Sequence, residues 1–144
     1  VHAPFSVFTQ TMPKNIPLIY SGQEEPVLRA LEFFEKDPIV FKDYKRAAFY
    51  KTLLALRKRN PALAADASFR KLKVGDEKSL YAYVREKSGK KVLVILNLSA
   101  TEQKIKVKDK SLWGTPYNVF MGTKEKLINN EWKIEPWGYV LYEY

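Results

Sequence analysis

The sequence contains no cysteine, a single histidine and only six glycines among 144 residues. Without cysteine there is no disulfide framework, no thiolate zinc site and no cysteine nucleophile. The compartment stays open, because secreted proteins also dispense with cysteine. His2 has no partner cluster at ligand spacing, so it builds neither a metal site nor a triad and reads as a surface residue. No metal and no cofactor is expected. No apolar run approaches the roughly 20 residues that cross a bilayer, and no basic stretch followed by an apolar one stands at the start. No membrane partner is expected. Gly-rich phosphate loops and nucleic-acid motifs are missing too.

What is present is apolar and aromatic. Hydrophobic residues make up 46% of the chain and aromatics 14%, which points to a packed body rather than disorder. A chain of this length buries a core without disulfides. The net charge is +9. Part of it lies on one helix-like stretch, in Lys42, Lys45, Arg46, Lys51, Arg57, Lys58 and Arg59. More lies in Lys104, Lys106, Lys108 and Lys110. A basic balance can serve nucleic acid, but with no motif to match, no nucleic-acid partner is expected.

Phe5, Phe8 and Met12 stand at helical spacing before Pro13, which ends the helix. Ile16 to Tyr20 is short and apolar and stops at Ser21-Gly22. It reads as a strand buried on both faces, with Pro17 at its start. Residues 24 to 42 read as a long loop with a short helix near Leu28 to Phe34. Asp43 reads as the N-cap of a helix from Tyr44 to Arg59. Its face carries Ala47, Tyr50, Leu53, Leu54 and Arg57, and it ends in cations and Pro61. After Leu63 the period changes. Leu80, Ala82 and Val84 alternate with Tyr81, Tyr83 and Arg85; Ser88-Gly89 marks a turn; Val92 to Leu98 is a β-branched run. Ile105 and Val107 alternate with lysines, and Trp113 to Met121, Leu127-Ile128, Trp132 to Ile134 and Tyr139 to Tyr144 follow. Short strands at regular spacing predict an antiparallel sandwich. The expected class is therefore α+β, in two parts divided at residues 62 and 63. A lone parallel-type strand between helices lacks neighbours to pair with, so residues 1–62 read as a piece of something larger.

The run Ile16-Pro17-Leu18-Ile19-Tyr20-Ser21-Gly22-Gln23-Glu24 resembles the eighth barrel strand of α-amylase-family glycoside hydrolases. Asn15-Ile16 departs from it, standing where a glycine is common. Phe33 to Ile39 is similar to that family's loop into the last barrel helix, and Phe49 to Leu63 to that helix and its exit. Tyr83-Val84-Arg85, Val92 to Ser99 and Pro136-Trp137-Gly138 resemble landmarks of its C-terminal β-domain. The resemblance implies that residues 1–62 are the end of a (β/α)8 barrel and residues 63–144 a C-terminal antiparallel β-sandwich. It implies a parent enzyme that cleaves α-glucosidic bonds of starch and maltooligosaccharides with retention, using carboxylates at barrel-strand ends. Val1-His2-Ala3 does not match the family's Asn-His-Asp motif, so the catalytic carboxylates are expected upstream and the chain is expected to be inactive alone. A start at Val1, with no methionine, agrees with a fragment. The α-glucan is then a partner only in the full enzyme, and the orphan barrel segment is expected to pack on the β-part or to self-associate.

No catalytic or substrate-binding residue is assigned. Tyr20, Gly22, Gln23 and Glu24 are candidates for a structural barrel rim. Glu24 and Glu25 are adjacent carboxylates, yet neighbours leaving a strand point to opposite sides and make a poor retaining pair. Trp113, Trp132 and Trp137 are read as core; if exposed, they would favour an autonomous carbohydrate-binding β-module. Lys104, Lys106 and Lys108 share one strand face, which either binds phosphates or blunts a sheet edge.

Overall fold

The Val92 to Leu96 run offers a sheet no polar face, and that decides the architecture. In the computed structural model, which describes residues 1–144, this run is buried on both sides. It lies in β3 (Lys90–Asn97), which is antiparallel to β2 (Leu80–Lys87). Ser88 and Gly89 both take positive φ, 52° and 74°, in the two-residue turn between them. β1 (Ser68–Leu72) adds to β2, and β8 (Tyr139–Glu143) adds to the other side of β3. β5 (Tyr117–Asn118) and β6 (Thr123–Lys124) complete a six-stranded sheet in the order β1-β2-β3-β8-β5-β6. β4 (Gln103–Ile105) and β7 (Trp132–Ile134) form a second sheet of two strands.

One face of the large sheet packs on the small one. Ala82, Val84, Leu93 and Ile95 meet Ile105, Val107, Leu127 and Ile134 in one buried cluster. This is the sandwich expected from the strand spacing. The other face carries Tyr83, Val92, Val94, Leu96 and Leu141 and is covered by helices. α1 (His2–Thr11) contributes Val7, and α2 (Ala47–Arg59) contributes Leu53 and Leu56. Each such side chain, fully buried, contributes roughly 1.5–3 kcal/mol of transfer free energy. The N-terminal helices thus pack on the β-part, as expected for residues that cannot bury themselves.

Three local expectations are corrected. The strand at Ile16 to Tyr20 does not form. Ile16 is 90% and Leu18 73% exposed, because a strand needs a neighbour to pair with and this chain offers none there. The Leu18 carbonyl is held by Gln10 Nε2 at 3.0 Å, and Tyr20 only by the turn that follows it. The short helix near Leu28 to Phe34 is likewise absent. Asp43 is not the cap of α2, which starts three residues later than expected, after Arg46. Tyr44 takes φ 46°, which no helix continues, and the Asp43 backbone N–H donates to the Glu25 carboxylate instead. β1, which the sequence reading left out, extends the sheet before β2.

Candidate functional site

The sequence-predicted candidates fall in one tight turn. Gln23 closes it twice: its backbone N–H donates to the Tyr20 carbonyl and its side-chain oxygen accepts from the Tyr20 N–H, both at 3.0 Å. Gly22 sits at φ +92°, and a Cβ there would stand 2.8 Å from a Val27 methyl. Glycine is thus required by conformation and by space. The Gly22 carbonyl accepts from Val27 at 2.9 Å, and the Glu24 carbonyl accepts from Arg46 at 2.9 Å. That last bond ties the turn to the start of α2.

The two carboxylates have different fates. Glu25 accepts from the backbone N–H groups of Tyr44 and Asp43, at 2.9 and 3.2 Å. Those bonds, Tyr44 first, hold its pKa below the ordinary carboxylate range. Glu24 lines a groove on the outer face of α2 with Ala47 and Lys51, and one of its oxygens is buried without a partner. It stands at the first turn of α2, where the helix dipole favours a negative charge. Glu25 is fully engaged in holding the loop, so the pair is not arranged as nucleophile and acid.

A hollow of about 470 Å³ opens beside the turn, lined by Tyr20, Gly22, Gln23, Arg29 and Arg46, with His2 on its wall. His2 corrects the surface reading. Its Nε2 lies 2.8 Å from the Tyr50 hydroxyl and 2.9 Å from Ser6 Oγ. Its ring packs edge-on to Tyr50 and tilted against Phe49. The first turn of α1 docks on α2, and that contact half-buries the imidazole. Burial lowers its pKa from the usual value, and the Arg46 charge lowers it further. Nothing in its sequence neighbourhood marks this contact, since Tyr50 is 48 residues away.

Sequence reasoning also missed the group that fastens the helices to the sheet. Arg85 is fully buried, with no carboxylate beside it. It donates to the carbonyls of Thr11, Ala64 and Ser68, at 2.7, 2.7 and 3.0 Å. Its neighbour Tyr83 meets Thr11 Oγ1 at 2.5 Å. Arg57 adds two bonds, to the carbonyls of Gln10 and Asn15 at 2.9 and 2.7 Å. The end of α1 is thus capped by two guanidiniums from other elements, which satisfies orphan carbonyls and suits the helix dipole. An arginine directly after the apolar run Leu80 to Val84, inside one strand, was the available signal. At the C-terminal end, Glu143 accepts from Arg59 and Asn60 at 2.7 and 2.9 Å, joining α2 to β8. Asn97, also fully buried, gathers the Thr101 and Glu135 carbonyls beneath the Pro136-Trp137-Gly138 turn.

None of the three tryptophans is exposed. Trp113 donates to the Val107 carbonyl at 2.9 Å, Trp132 packs on the sandwich core, and Trp137 lies against Phe5. No group of three His, Cys, Asp or Glu side chains comes together, and no helix is long and apolar enough to cross a membrane.

The comparisons with known proteins agree on the class. Residues 80–139 match the α-amylase SusG C-terminal domain family. A noncanonic maltogenic α-amylase, AmyB from Thermotoga neapolitana, superimposes on 99% of this chain with a TM-score of 0.75 and 14% identity. AmyP, solved with maltotriose, matches over 99% of the chain with a TM-score of 0.73 and 14% identity. Trehalulose synthase MutB from Pseudomonas mesoacidophila MX-45 matches 67% of the chain and 17% of its own length, at 22% identity and a TM-score of 0.55. No curated protein sequence matches. The fold is that of the C-terminal part of α-amylase-type structures. Residues 80–139 are the part that matches the family of α-amylase C-terminal domains. The chain spans 36% of the length of AmyB and 34% of that of AmyP.

Proposed function

We propose that the chain is the C-terminal portion of an α-amylase-type glycoside hydrolase acting on α-glucans, and that it does not turn them over by itself. The observation that carries this reading is the overlay of nearly the whole chain, helices included, on a maltogenic α-amylase. In this reading residues 1–62 are the end of a barrel and residues 63–144 a β-domain that braces it. The exposed Ile16, Leu18, Leu28 and Leu54 would be covered by the rest of the barrel, with the Tyr20 to Glu24 turn at its rim. The α-glucan is a partner of the full enzyme. The chain alone buries these residues by self-association.

The engagement of Glu25 by backbone, away from any paired role, supports inactivity alone. An assay of the chain on soluble starch tests it: no reducing ends above buffer are expected, and sustained release of maltooligosaccharides would overturn it. The packing of all three tryptophans disfavours an autonomous sugar-binding module. A maltoheptaose titration followed by tryptophan fluorescence should show no shift.

A further inference from the structure

The groove beside β4 carries more positive charge than the fold requires. Lys73, Lys104, Lys106 and Lys108 line a volume of about 420 Å³, with Glu131 as the only acidic residue. Lys73 is paired with Glu77 and Lys104 with Glu131, each at 3.3 Å. Lys106 and Lys108 line the same groove and take part in no ion pair.

A lysine row often guards an open strand edge. That explanation fits β4 poorly, because one edge is paired with β7 and the Val74-Gly75 backbone lies against the other. On one side Gln103 to Ile105 pair with Trp132 to Ile134. On the other, Lys106 N–H donates to the Val74 carbonyl at 2.8 Å. The backbone is so close there that a Cβ on Gly75 would stand 2.6 Å from the Lys104 carbonyl oxygen. Ile105 and Val107 are buried, so the alternate residues Lys104, Lys106 and Lys108 follow one another at roughly 6–7 Å.

The kind of anion follows from what lines the groove. No arginine is there to grip one phosphate or carboxylate with a two-pronged fork. No aromatic ring is there to stack a base. Point charges in a row, with neither fork nor platform, suit an extended polymer with spaced charges and no bases. We infer that this groove binds an acidic polysaccharide, with Lys106 and Lys108 as the cations that hold it. The inference stands apart from the α-glucan reading, because a neutral glucan offers these lysines no charge.

Titration of the whole chain with polygalacturonate, between about 50 and about 200 mM salt, tests it. Binding should weaken steeply with salt. Lys106→Gln combined with Lys108→Gln should reduce affinity about tenfold and lower the log–log salt slope by about 1–2. Lys108→Gln alone, at an exposed position, should give about half of that slope change if the double variant fails to fold. Lys51→Gln with Lys58→Gln, an equal charge change on α2, should leave affinity unchanged. No binding at the lower salt, equal losses in the two double variants, or tighter binding of single-stranded DNA would each overturn the inference. So would competition by neutral amylose as strong as that by polygalacturonate.

Discussion

Residues 14–46 and the β2–β3 pair are both rich in apolar side chains, yet they end in opposite environments. In β2 and β3, Tyr83, Val92, Leu93, Val94 and Ile95 are almost completely buried. In the other segment, Phe33 is 89% and Phe34 92% exposed, beside Ile16 and Leu18. Composition does not separate the two; pairing does. β3 has a strand on each edge and a layer on each face, so every apolar residue finds a neighbour. The segment from 14 to 46 has turns and a few fixed points but no ladder. The Arg29–Asp37 ion pair and the Glu25 clasp hold its shape. What differs is the presence of a partner surface, which one region finds within the chain and the other does not.

The sharpest way to break this contrast is substitution at matched residues. Leu93→Ala should cost about 2–5 kcal/mol by urea unfolding, through lost transfer free energy and a cavity. Leu28→Ala, the same change on the exposed side, should fall within about 0.5 kcal/mol. If Leu28→Ala proved equally costly, the segment would be packed in solution. Arg85→Met comes next. It strands the Thr11 and Ala64 carbonyls and should destabilise by about 3 kcal/mol, with loss of far-UV helix signal as α1 and α2 detach together from β2. A third test reads association. Phe33→Ser with Phe34→Ser should leave the unfolding midpoint unchanged and shift the chain toward monomer in sedimentation. Unchanged association would remove these rings from any interface.

The smallest effect concerns pH. Burial holds the His2 pKa below the usual 6.5. The folded state therefore favours the neutral ring. Its contribution is complete above about pH 6.5 and is lost as the pH falls through the lowered folded value. His2→Phe should flatten that acid limb. Asp37 behaves differently: the Arg29 hydrogen bond, then the Glu32 backbone N–H, bring its pKa to about 2. Its pairing is present above the ordinary carboxylate range and is lost only as the pH falls toward 2. In mild acid the α1 contact should loosen while the Arg29–Asp37 clasp persists. Amide signals of residues 2–11 and 29–37, followed from pH 7 to pH 4, check this order.

The helices, the Ser88-Gly89 turn and most strands were legible because each rests on local chemistry: period, breaker and turn residue. The stop at Ser21-Gly22 was legible in the same way, since the turn needs glycine at φ +92° whatever surrounds it. The strand at Ile16 to Tyr20 was not, because apolar content states a need for burial and names no partner. The rule that a continuous apolar run is buried on both faces was sound, but it applied to Val92 to Leu96. The alternation of Tyr81, Tyr83 and Arg85 with Leu80, Ala82 and Val84 gave the strand period and left open what covers each face. α1 and α2 cover the face that carries Tyr83 and Arg85.

The sequence by itself determined where backbone hydrogen bonds are local, which residues avoid water and where the chain must turn. Only the tertiary structure decided which apolar surfaces meet. It put Arg85 under the end of α1, His2 against Tyr50 and four lysines around one groove. Those contacts join residues far apart in the chain, and no periodicity reports which distant surface will arrive to cover a given face.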